Sequence, residues 1–175
     1  FDVNLTFTCK DFNNCKLMLL IGEPNIDDFA RCSNVQIVIN LNSNPFNIEK
    51  TSTELIKQLS VLNRQGIIYV NSNASESTTD YVYGDQLVAC EVGEVINKVS
   101  TLQLETQNLK AEFDLDIINS LQRKYSKNKS NIEFNVDFYL NREIKDTLTR
   151  KISKSPYLKN DLVIEKQVKN IFEMQ

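Results

Sequence analysis

The chain has 175 residues, 41% of them hydrophobic and 25% charged, with a net charge of −3 and an isoelectric point near 5.1. That length suits one domain, or one domain with an appendage, able to bury about 70% of its unfolded surface, so disorder is excluded and neither metal nor disulfide is needed merely to fold. No apolar run reaches the ~18 residues of a membrane-crossing helix, and the acidic balance argues against nucleic acid as a partner.

Val3, Leu5, Phe7 and Cys9 alternate with Asn4, Thr6 and Thr8, the period of a half-buried strand. After a polar turn at 10–14, residues 15–21 read as a second, more buried strand ended by Gly22 and Pro24. Asp27 and Asp28 follow in an expected loop; paired acids there are either solvated or a weak calcium candidate. Val35, Ile37, Ile39 and Leu41 make a third strand.

The period then changes. Thr51 and Glu54 fit a capping box, and Leu55, Ile56, Leu59 and Leu62 share one face, which predicts a helix over 51–63 stopped by Gly66. Residues 67–70 form a short buried strand, so 35–70 fits a parallel strand–helix–strand crossover. Residues 71–80 are a polar, exposed loop. Over 81–105 the valines fall at helical spacing, but β-branched content and Gly93 favour two strands.

Leu109, Ala111, Phe113, Leu115 and Ile117 alternate with charged residues, as do Ile132, Phe134, Val136, Phe138 and Leu140 with polar ones. Both predict long antiparallel-type strands with one wet face. The tail turns helical, with Ile144, Leu148 and Ile152 before a Ser155-Pro156 break and Leu162, Ile164 and Val168 after it. Together these predict an α+β fold, strand-rich, with a mostly antiparallel sheet, one helix near 51–63 and two C-terminal helices. The predicted division is a body over 1–140 and a helical appendage over 141–175, packed on the body or on a neighbour.

Four cysteines, Cys9, Cys15, Cys32 and Cys90, allow three disulfide connectivities. Cys9–Cys15 across the first hairpin and Cys32–Cys90 are favoured, since opposed hairpin residues lie within disulfide range. Reduced, buried thiols account for the same residues, and a metal set lacks any C-x₂-C pair. The start at Phe1 suits a processed chain that is secreted, on the cell surface or periplasmic. Asn4, Asn73 and Asn128 head glycosylation sequons, a number that chance supplies in so Asn-rich a chain.

The sequence has no histidine, and its glycines, at 22, 66, 84 and 93, form no phosphate-binding motif. Histidine-activated nucleophiles are therefore excluded, and no cofactor is implied. Glu112, Asp114 and Asp116 share one expected strand face, with Glu133 and Asp137 beside them. That face is either solvated or a docking surface for a basic element. The cations of residues 123–129 read as a solvated loop. Residues 1–120 hold 8 basic and 16 acidic side chains and residues 121–175 hold 12 and 7, a balance of −8 against +5. Such asymmetry holds the tail to its own body or draws it head-to-tail to a neighbour's.

These features point to a non-enzymatic, extracytoplasmic structural or interaction protein, self-assembling through its acidic body and basic tail. The alternatives are a carrier for a small apolar ligand or lipid and, last, a hydrolase that depends on carboxylates.

Overall fold

The computed structural model describes residues 5–23, 26–31, 34–45, 52–101, 105–124 and 134–141. The chain divides into two compact units, Phe1–Arg142 and Glu143–Gln175, and every described residue lies in the first. The expected C-terminal helices, Cys32, Glu133, Asn4, Asn128 and the Thr51 cap lie outside the described residues.

Seven strands form one sheet: β1 (Leu5–Cys9), β2 (Cys15–Ile21), β3 (Ile37–Leu41), β4 (Gly66–Val70), β5 (Asp85–Glu91), β6 (Glu94–Thr101) and β7 (Phe134–Phe138). Their order is β6-β5-β4-β3-β2-β1-β7. The fold is sheet-rich α+β as expected, but the sheet is mixed rather than mostly antiparallel. β2/β3, β3/β4 and β1/β7 run parallel, and β1/β2, β4/β5 and β5/β6 antiparallel. The parallel centre follows from two crossover helices, α1 (Ile26–Arg31) and α2 (Ser52–Asn63), which carry the chain back to the same sheet end before β3 and β4. Alternation alone reports a half-buried strand and carries no direction, so the sense of β7 was not legible in it.

Local chemistry sets the turns. Asn13 and Asn14 take positive φ in the β1–β2 turn, a conformation that asparagine tolerates better than most side chains. Val92 (φ 46°) and Gly93 (φ 88°) form the two-residue β5–β6 turn, whose twist matches that of the strands. Residues 85–101 are thus two strands, as the valine content favoured. Helix α2 ends at Arg64 in the left-handed conformation (φ 54°), with the Ser60 hydroxyl donating to the Gln65 carbonyl at 2.6 Å. Gly66, expected to stop that helix, instead opens β4. Its glycine is required by the Phe113 ring, whose Cδ1 would stand 2.6 Å from an added Cβ.

Helices α1 and α2 cover one face of the sheet. Phe29, Ile56 and Leu59 meet Met18, Val38, Ile67, Tyr69, Val88 and Cys90 in a buried core. The opposite face carries Phe7, Leu17, Ile37 and Gly66 in register. Residues 105–114 pass along this face without strand pairing, although the alternation of 109–117 predicts a strand there. Asn97 Nδ2 donates to the Lys110 carbonyl at 2.9 Å, Phe113 lies on Gly66, and the Asp114 N–H donates to Glu91 Oε2 at 2.6 Å. The chain then turns into α3 (Leu115–Lys124) because the Asp114 side chain accepts from the Asp116 and Ile117 N–H groups and caps the first turn. Ile118 is buried beneath it, and Gln122 Nε2 reaches the Val35 and Arg64 carbonyls at 3.0 and 3.2 Å. Alternation in 109–117 and the start of a helical stripe coincide over so short a run, and the cap decided for the helix.

Candidate functional site at the carboxyl ends of the parallel strands

In open sheets with crossover helices, ligands bind outside the carboxyl ends of the parallel strands. Here that edge is formed by Gly22 and Glu23 after β2, 42–44 after β3 and 71–73 after β4. Both of the latter read Asn-Ser-Asn. The parallel register of Leu41 with Val70 brings the two tripeptides side by side.

Their side chains replace the strand ladder where it ends. Asn44 N–H donates to Asn71 Oδ1 at 2.8 Å, and Asn71 Nδ2 returns to the Asn44 carbonyl at 3.0 Å and to the Gly84 carbonyl at 3.3 Å. The Ser72 hydroxyl donates to Ser43 Oγ at 2.9 Å. Asn42 accepts from the Ser43 N–H at 2.8 Å through Oδ1 and donates to the Tyr69 hydroxyl at 3.2 Å through Nδ2. Asn73 accepts from the Ser75 N–H at 2.7 Å and donates to the Glu105 carbonyl at 3.3 Å. Its amide thus caps a short 3-10 turn, and this is where the sequon at Asn73 lies. Beneath the edge, Asn40 on β3 donates to the Gly22 carbonyl at 3.0 Å and the Leu20 carbonyl at 3.4 Å. The two tripeptides thus form an uncharged row of amides and hydroxyls that offers both donors and acceptors, with the exposed Glu23 nearby on the same edge.

The cysteines stand at the other end of the strands. Cys9 and Cys15 face each other at the start of β2, as the hairpin predicted, and Cys90 pairs with Ile67 near the start of β4. At ~3.3 Å per residue they lie roughly 13–20 Å along the strands from the Asn-Ser-Asn edge. All three are buried, free thiols, so the expected disulfide staple is absent among the described residues. Burial, with the hydrogen bond from Sγ to Asp11 Oδ1 (3.0 Å) adding to it, pushes the Cys9 thiol above its ordinary range. Burial likewise pushes Cys15 and Cys90 up to about 11. The Cys9 thiol and the Leu140 and Asn141 N–H groups hold the Asp11 carboxyl below its usual range. Thiols so protonated are weak nucleophiles at neutral pH.

The expected acidic docking face is dispersed, because its residues do not share a strand. Asp114 caps α3, Asp116 lies in that helix's first turn, and Glu112 lies in the preceding segment. Asp137 on edge strand β7 pairs with Lys10 at 3.2 Å, across most of the sheet from the β5 residue Glu91 that Asp114 bonds. Asp27 and Asp28, expected in a loop, open α1, where acids suit the helix's positive end. No group of three or more metal-ligating side chains occurs among the described residues. No helix among them is long and apolar enough to cross a membrane.

Neither a family description nor a curated protein sequence matches the chain. Solved structures do match its fold. A glutamine-dependent NAD+ synthetase from Acinetobacter baumannii is similar at a TM-score of 0.53 and 22% identity, over 59% of this chain and 20% of that one. An amidase from Nesterenkonia sp. AN1, in complex with butyramide, is similar at 0.53 and 13% identity, over 71% of this chain and 48% of that one. That amidase is assigned to the nitrilase superfamily and carries an active-site cysteine. The chain thus spans a fifth to a half of these proteins, and at such identities the likeness establishes the fold alone.

It corrects the expectation of a non-enzymatic structural or interaction protein, since the fold is one on which an amidase and a synthetase are built. The apolar-ligand carrier, an alternative within that expectation, falls with it; the head-to-tail assembly rests on a basic tail, 121–175, most of which lies outside the described residues. Missing histidine excludes histidine-activated nucleophiles and leaves other enzymes open. The repeated Asn-Ser-Asn was the available signal. It was hidden by an Asn-rich composition and by reading 71–80 as a solvated loop.

Proposed function

We propose that this chain works as, or within, an enzyme acting on the C–N bond of small carboxamides, and that the carboxyl edge of β2, β3 and β4 binds the amide. The observation that carries this reading is the Asn-Ser-Asn pair, which lines the ligand-binding end of the sheet with groups complementary to a carboxamide. A carboxamide has one acceptor oxygen and two N–H donors, and a mixed amide–hydroxyl row answers both without burying charge. Likeness of fold to the amidase and the synthetase supports the same class.

The nucleophile of such a reaction lies outside the described cysteines, which are protonated and face the other end. The edge's own part is to bind and orient, which is where effective concentration is gained. The test is ammonia release by the full chain from butyramide and from glutamine. Release above the blank, lowered by Asn71→Ala in a variant that remains folded, is expected. No release from either amide by the folded chain, together with no binding of butyramide at the edge, overturns the reading.

A further inference from the structure

Asn40 on β3 is 1% exposed and pairs directly with Leu20 on β2 and Tyr69 on β4. Its Nδ2 donates to the Gly22 and Leu20 carbonyls, whereas its Oδ1 has no hydrogen-bond partner among the described residues. The assignment of the two atoms is fixed by those carbonyls, since exchanging them would set the amide oxygen against two other oxygens. The unmet atom is therefore an acceptor. Buried acceptors without a donor are rare, and a bound ligand or an ordered water ordinarily explains them.

The surroundings favour a ligand. Asn40 lies directly beneath the edge, two residues before Asn42, which follows the end of β3. The carbonyl it holds belongs to Gly22, whose φ of +109° turns the chain out of β2. An added Cβ there would meet nothing within 4 Å, so open space adjoins the turn that Asn40 fastens. Its other neighbour, Tyr69, is fully buried, and the Tyr69 hydroxyl is already engaged by Asn42.

We propose that Asn40 is a specificity-determining residue of this edge, whose Oδ1 receives an N–H of the ligand's primary carboxamide. This rests on the carboxamide reading above and adds the residue that selects for it. A group that brings a methyl to Oδ1 leaves the acceptor unmet, whereas –NH2 of the same size satisfies it. A site built around such a bond discriminates steeply against analogues that lack the donor.

The experiment titrates the full chain with butyramide and with methyl propyl ketone, which carries –CH3 where butyramide carries –NH2. Backbone amide shifts of Gly22, Asn42 and Ser72 report binding at the edge. Butyramide is expected to bind at least about tenfold more tightly, and a folded Asn40→Leu is expected to lose that preference. Asn40→Ala, which deletes the same acceptor without adding bulk, is expected to lose it too, and provides the comparison if the leucine variant fails to fold. Equal affinity for the two compounds in the unaltered chain overturns the proposal, and so does a preference that survives in Asn40→Leu. A trapped water serving as the donor gives that same indifference. Shifts at all three amides without preference remove Asn40's role alone, whereas no shift with butyramide removes the carboxamide reading with it.

Discussion

At the amino ends of β2, β3 and β4 stand the groups that look reactive on paper, the thiols of Cys9, Cys15 and Cys90, and at the carboxyl ends stand asparagines and serines. The thiols are buried, with pKa values raised by that burial, and Cys90 packs in the core. The amides and hydroxyls are partly exposed, and several replace the hydrogen bonds of a sheet that stops there. Residue type alone points to the thiol edge. Strand direction points to the other, because crossover connections gather the ends of three parallel strands and the loops that follow them on one side.

Tyr69 joins the two regions, its ring in the core and its hydroxyl at the polar edge, and it is the place to break the contrast most severely. Tyr69→Ala should cost about 3–5 kcal/mol in urea denaturation, as a fully buried ring leaves a cavity. Tyr69→Phe should cost only ~1 kcal/mol, the share of the hydrogen bond from Asn42. Equal costs for the two variants would mean that the hydroxyl, and with it the edge, governs stability.

The amino edge should reveal itself through pH. Cys15 and Cys90 stand at about 11 in the folded chain against an ordinary 9.0. Between those values the unfolded chain has released protons that the folded chain still holds, so stability falls as pH rises from 9 to 11 and is unaffected below 9. Two units correspond to about 2–3 kcal/mol for each thiol. Denaturation midpoints at pH 8, 10 and 11 measure the fall. Lysine and tyrosine titration is shared with Cys90→Ala, so the difference between that variant and the unaltered chain isolates the thiol. An identical fall in both would show that the Cys90 thiol is not kept protonated by its burial.

Asn71→Ala removes bonds to the Asn44 N–H, the Asn44 carbonyl and the Gly84 carbonyl. Because the site is only partly buried, water recovers some of them, and a loss of about 1–2 kcal/mol is expected. Hydrogen exchange of the Asn44 amide should accelerate with it, and unchanged protection there would show that the ladder does not depend on this side chain.

Much of this architecture was legible. Alternation marked β1, β3 and β7, the amphipathic run marked α2, and the valines of β5 and β6 outweighed their helical spacing because β-branched side chains pack on a pleated surface. The α3 boundary was not legible, because Asp114 reads as one more polar residue in an alternating strand until its carboxylate is seen to cap a helix. The site was legible only in part. No internal repeat stands out in the Asn-rich chain, and the meeting of Asn42–Asn44 with Asn71–Asn73 depends on β3 and β4 pairing in parallel with Leu41 beside Val70. Asn40 could not have been distinguished from the chain's other asparagines, since its meaning lies in burial and in one unmet oxygen.

The smallest effect on stability should come from the Ser43–Ser72 hydroxyl pair, and it separates binding from folding most cleanly. Their bond joins two side chains with access to water, so Ser72→Ala should change stability by no more than about 0.5 kcal/mol. A double-mutant cycle with Ser43→Ala should give a coupling of similar size. If the edge exists to hold a carboxamide, the same substitution should still weaken butyramide binding severalfold, since a hydroxyl that is replaceable by water in the free chain is not replaceable once the ligand excludes it. A Ser72→Ala chain that is as stable and binds butyramide as well as before would leave the hydroxyl pair as surface decoration. Binding weakened without loss of stability would mark the row as a recognition surface, in contrast to the thiol edge, where every substitution is felt first in the fold.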